Sequence, residues 1–171
     1  PAGMILGYPV IDLKSTARRL DIGIEGYPDY DKINFGQVHP NVDPADIFVR
    51  ENNKTYVNFE IAMNAYMFGG YPTDEQIYQY SLQNHVTDTT PPAFIWHGGE
   101  DGLIYPRNSF MFAEALREHN VPCELHVFGK GGHGLGLANE VTENNPWEVN
   151  EQCARWPKLA ADWIKSILRQ Q

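Results

Sequence analysis

Apolar residues along this chain fall into short unbroken runs and helix-spaced stripes, separated by polar, glycine-rich connections. Met4 to Ile11 (MILGYPVI) is a continuous run rich in branched side chains. It predicts a strand buried on both faces, as in a parallel sheet covered by helices. Ala93 to His97 (AFIWH) and Cys123 to Phe128 (CELHVF) predict two further strands. Phe59 to Phe68 predicts a helix stopped by Gly69-Gly70, where glycine takes the left-handed cap cheaply. Thr73-Asp74-Glu75-Gln76 has capping-box spacing and predicts a short helix to about Leu82. Arg107 to about His119 reads as a helix with Phe112 and Leu116 on one face. The segment from Asn145 to Leu168 contains a last helix, with Trp156, Leu159, Trp163, Ile164 and Ile167 at helical spacing.

Strands alternating with helices imply an α/β fold with a parallel sheet flanked by helices. Three strands make a poor sheet alone, so the chain reads as the C-terminal portion of one larger domain. The opening Pro1-Ala2-Gly3, which leads straight into an apolar run, points the same way. The stretch from about residue 12 to 58 has no clear period, many turn residues and a high aromatic content. It is expected to be an irregular, lid-like insertion.

Composition narrows the functional classes. At 42% hydrophobic and 20% charged, the 171 residues have an ordinary globular make-up. With 13 Lys and Arg against 22 Asp and Glu, and no basic run, nucleic acid is excluded as a partner. No apolar run is long enough to span a bilayer, so no membrane partner is expected. The two cysteines, Cys123 and Cys153, make no disulfide framework, and a cytoplasmic setting is expected. Homo-oligomerisation stays open.

Candidate chemistry follows from a rule of open parallel sheets: ligands sit beyond the C-terminal ends of the strands. After AFIWH comes Gly98-Gly99-Glu100-Asp101-Gly102, and after CELHVF comes Gly129-Lys130-Gly131-Gly132-His133-Gly134. An acid and then a histidine thus end successive strands. A carboxylate on an imidazole's Nδ1–H leaves Nε2 free to take a proton from a nucleophile. Flanking glycines would let the His133 loop bend tightly. Asp-Gly is also a common structural turn, so the pattern alone leaves Asp101 open. Glu100 is the adjacent rival. His97 reads as a packing or supporting residue, His126 as facing a helix, and His39, His85 and His119 as loop or surface. Neither a metal site nor a cofactor is expected, since no H-E-x-x-H or paired C-x-x-C occurs.

Three segments carry a resemblance: PAGMILGYPVI, YSLQNHVTDTTPPAFIWHGGEDGLIYPRNSFMFAEAL and VPCELHVFGKGGHGLGLA. Together they resemble the end of the α/β-hydrolase fold, in the acetyl-esterase and lipase-like group of carboxylesterases. The resemblance implies that Asp101 is the triad acid and His133 the triad base, and that a small-molecule ester is the substrate. The chain order Ser, Asp, His fits as well.

Departures are equally informative. No G-x-S-x-G occurs, and Ser15, Ser81, Ser109 and Ser166 all lack the glycines of a nucleophile elbow. The nucleophile and the oxyanion donors are expected on a missing N-terminal half of the same fold. The Gly98-Gly99 pair stands where relatives more often have Thr and a small residue. A prolyl-oligopeptidase-type serine peptidase or a dienelactone hydrolase-like enzyme shares the same Asp–His ending. A non-catalytic hydrolase-like binding fragment is the reading of another class.

Overall fold

The computed structural model describes residues 2–14, 19–21, 41–52, 54–143 and 145–169. In chain order these form β1 (Met4–Gly7), β2 (Arg19–Asp21), α1 (Pro44–Ile47), β3 (Phe48–Glu51), β4 (Lys54–Asn58), α2 (Phe59–Phe68), α3 (Asp74–Tyr80), β5 (Ala93–Gly98), α4 (Arg107–Glu118), β6 (Cys123–Phe128) and α5 (Trp156–Leu168). Strands β1, β5 and β6 make a parallel sheet in that spatial order. Strands β2, β4 and β3 make a small antiparallel sheet.

The parallel sheet is an α/β layer because β5 is apolar from Ala93 to Trp96 and buried throughout. Its alternate side chains serve two cores. Ala93 and Ile95 pack with Phe112, Ala115 and Leu116 of α4, together with Ile11, Val86 and Val121. Phe94 and Trp96 pack on the other face with Ala160 and Trp163 of α5, and with Leu135, Ala138 and Cys153. Each large side chain buried this way contributes roughly 1.5–3 kcal/mol. The register places His97 beside Val127 and Gly98 beside Phe128, so β5 and β6 end level.

Two helix ends carry the chemistry that the sequence foretells. Thr73 accepts from Gln76 N–H while the Gln76 side chain accepts from Thr73 N–H, a complete capping box on α3. Helix α2 stops at Gly69, which adopts a left-handed φ of 69°.

The expectation of a first strand buried on both faces is corrected. The strand is only Met4–Gly7, and while Met4 and Leu6 join the α4-side core, Ile5 is 41% exposed. Only β5 pairs with β1 among the described residues, and Trp163 of α5 packs against Gly3. Ile164, expected on the packed stripe of α5, is 40% exposed beside it. Gly3, Ile5, Ile164, Ile167 and Leu168 thus line an open apolar groove of about 300 Å³.

The described residues of the segment from 12 to 58 include β2, α1, β3 and β4. Val42 and Ile47 meet Ala62 and Ala65 of α2 in a third small core. Asn52, at a φ of 53°, turns β3 back onto β4. Neither FVRE of β3 nor KTYVN of β4 alternates strictly between apolar and polar positions, so neither carries a strand period. Residues 15–18, 22–40 and 53 of the expected insertion, His39 among them, lie outside the described residues.

Candidate active site

Because β5 and β6 are parallel neighbours of equal reach, the loops that follow them leave from the same rim of the sheet. The two loops are laced together. Gly99 N–H donates to Phe128 O at 2.7 Å, and Glu100 N–H donates to Gly131 O at 3.0 Å. This close approach depends on the paired glycines. A Cβ on Gly98 would collide with the Gly131 carbonyl, and Gly131 itself has a left-handed φ of 107°. The Gly98-Gly99 departure noted in the sequence is therefore the contact surface between the two loops.

The lacing brings Asp101 and His133 together. Nδ1 of His133 lies 2.8 Å from Oδ2 of Asp101. Oδ1 of Asp101 accepts the backbone N–H groups of Leu103, at 3.0 Å, and Ile104, at 2.8 Å. The Asp101 side chain is fully buried, whereas that of His133 is 29% exposed. Burial pushes the Asp101 carboxyl up, but hydrogen bonds from His133, His97 and Ile104 N–H outweigh it and hold it down at about 2. The carboxylate is thus an ionised acceptor at neutral pH. It holds a His133 proton on Nδ1, so that in the neutral ring Nε2 carries the lone pair. Glu100, the rival acid, is exposed.

His97 is completely buried and contacts the same carboxylate. Its Nε2–H reaches Ile104 O at 2.8 Å and Asp101 Oδ2 at 3.1 Å, and its Nδ1 lies 2.7 Å from Ser109 Oγ. Ser109, His97 and Asp101 thus form a serine–histidine–aspartate chain in miniature. Ser109 is 0% exposed, however, and no ester can reach it. Ser81 is equally buried, on Asp12 and Leu13, and Ser166 bonds back to Trp163 O. His126 accompanies Glu124 and Phe94, while His85 and His119 are exposed. Cys123 and Cys153 are free, and burial raises both thiols to about 11.

One neighbour of the pair escapes the sequence reading. Tyr8 directly follows β1, at the same rim as the other two loops, with a left-handed φ of 39°. Its ring packs edge-on against His133, centroids 4.9 Å apart, and against Trp96 at 5.0 Å. The unbroken apolar run to Ile11 places Tyr8 inside a strand, and only the end of β1 at Gly7 puts it on the rim. Tyr8 also lines a cavity of about 300 Å³, together with Ile5, Trp96, Leu137, Thr142 and Trp156. Among the described residues, no three His, Cys, Asp or Glu side chains are grouped to hold a metal ion. Nor is any described helix long and apolar enough to cross a membrane.

Residues 47–150, more than half of the 171, match the prolyl oligopeptidase family. The chain belongs to that family. Members share the α/β-hydrolase fold, and solved structures similar to this chain extend the likeness to esterases. A carboxylesterase from Lactobacillus plantarum is 30% identical with a TM-score of 0.61, matching 96% of this chain and 44% of its own length. An acetyl ester-xyloside bifunctional hydrolase from Caldicellulosiruptor lactoaceticus is 28% identical with a TM-score of 0.62, over 98% of this chain and 43% of its own. Endo-1,4-beta-xylanase B of Butyrivibrio fibrisolvens is 46% identical over 74 residues, 43% of this chain and 12% of that protein. The chain therefore spans under half the length of each of these relatives. Family and neighbours together make it part of an α/β-hydrolase.

Proposed function

We propose that this chain supplies the acid and base of a serine-type carboxylic ester hydrolase that acts on short acyl groups. The nucleophile and oxyanion donors would lie in the half of the fold that these residues do not contain. The observation that carries the reading is the 2.8 Å bond from His133 Nδ1 to the buried Asp101 carboxylate. In the reaction, Nε2 of His133 takes the proton of a serine hydroxyl as that oxygen attacks the ester carbonyl. The imidazolium, stabilised by Asp101, returns the proton to the departing alkoxide and leaves an acyl-enzyme. Water then enters by the same route, with His133 again as base, and releases the acid.

Two structural features support a second half of the same domain. The outer edge of β1 is unpaired among the described residues, and an apolar groove runs beside it. An exposed, unpaired apolar strand edge is a liability that folds normally cover. The full-length solved relatives are about twice as long. Residues 12 to 58 are proposed to act as a lid. The relatives described as esterase, acetyl ester-xyloside hydrolase and xylanase make acetylated sugars the first substrates to try. Two free cysteines fit the cytoplasm as the proposed compartment.

The test is labelling by a fluorophosphonate and turnover of p-nitrophenyl acetate, with and without a polypeptide supplying the other half. Labelling and turnover only in the combined sample support the split enzyme. Neither in either sample would leave a non-catalytic binding module. The family match favours a serine peptidase as second reading, and cleavage of a proline-containing peptide in place of the ester would select it.

A further inference from the structure

We infer that His97 is a positioning residue for the Asp101–His133 pair, its tautomer set by the Ile104 carbonyl and its ring anchored by the Ser109 hydroxyl. A carbonyl oxygen can only accept, so the 2.8 Å contact to Ile104 O requires the proton on His97 Nε2. The same N–H leans to Asp101 Oδ2 at 3.1 Å. Nδ1 is then a lone pair, and the Ser109 hydroxyl at 2.7 Å must donate to it. His97 and Ser109 are both 0% exposed, so water has no access to replace either bond.

Oδ1 of Asp101 is fully engaged by the Leu103 and Ile104 amides, but Oδ2 is shared by two imidazoles. One of them, His133, is 29% exposed. It is free to move when its partner protons change. His97 cannot move, because helix α4 holds it through Ser109 and the acid loop holds it through Ile104. Oδ2 therefore keeps its place under His133 even while that bond breaks and re-forms. This inference deepens the proposed function, whose activity it concerns, but its geometry stands without it.

The decisive measurement is the tautomer of both rings in the isotope-labelled chain, read from long-range proton–nitrogen NMR correlations. The parent should show His97 protonated on Nε2 and His133 protonated on Nδ1, the latter against the intrinsic preference of a free imidazole. In Ser109→Ala and in His97→Gln, the His133 Nδ1–H population should fall towards a mixture. A role in packing alone would lower the melting temperature and leave that tautomer as it was. An unchanged His133 tautomer in both folded variants overturns the inference, as does a parent His97 protonated on Nδ1. In the complete enzyme, Ser109→Ala should lower kcat about ten-fold at unchanged KM, and Ser109→Thr should recover it. The NMR result decides the inference even if the complete protein turns out not to be an esterase.

Discussion

Gly98 and Gly131 face each other backbone to backbone, and a Cβ on Gly98 would lie 2.7 Å from the Gly131 carbonyl carbon. Neither partner is a flexible side chain that could step aside. Gly98→Ala should therefore destabilise the chain by about 2–3 kcal/mol, as overpacking does. Gly102→Ala, where a Cβ meets nothing within 4 Å, should be near neutral. Urea unfolding of the two variants makes the comparison, and equal costs would refute the steric account of the loop contact.

The Asp101 carboxyl carries a pH signature. Its folded-state value is about 2 against the ordinary 3.8, so its stabilisation is present above that ordinary value and is lost as pH falls towards 2. At pH 7 Asp101→Asn should cost on the order of 2 kcal/mol. The stability gap between parent and variant should close between about pH 4 and pH 2. Chemical unfolding at a series of pH values reads this directly, and a gap that stays constant across that range would contradict it.

His133 separates stability from chemistry. Its ring is 29% exposed, and His133→Ala removes one hydrogen bond to the buried Asp101 carboxylate, so it should cost about 1.5–3 kcal/mol and leave the chain folded. In the complete enzyme the same change should lower kcat by on the order of 10^4. Near-normal turnover would remove His133 as the base.

Asn108 ties the segment after β1 to α4. Its buried Oδ1 accepts from both Ile11 N–H and Asp12 N–H at 2.9 Å. Asn108→Ala would strand two buried donors and should cost roughly 2–4 kcal/mol. In acid, with the introduced carboxyl protonated, Asn108→Asp keeps the acceptor without burying a charge, so it should cost less. A thermal melt of both variants in acid ranks them, and an Asp variant worse than Ala would reverse the assignment.

Much of this protein is legible in its sequence because the signals are local. The AFIWH and CELHVF runs, the capping box at Thr73 and the Gly69 stop each act within a few residues, and each appears within two residues of where it was read. Asp101 and His133 could be singled out because strand ends are where chemistry gathers in a parallel sheet. Other features depend on neighbours distant in sequence, and only the tertiary structure decided them. Nothing local in MILG says that Ile5 will face an uncovered groove, since that depends on which elements pack against β1. Nothing in Ser109 announces a bond to His97, because the contact exists only once α4 lies across β5. The double glycines look like loop flexibility in sequence, yet in space they serve close contact, because the backbone of the neighbouring loop fills the volume a side chain would need.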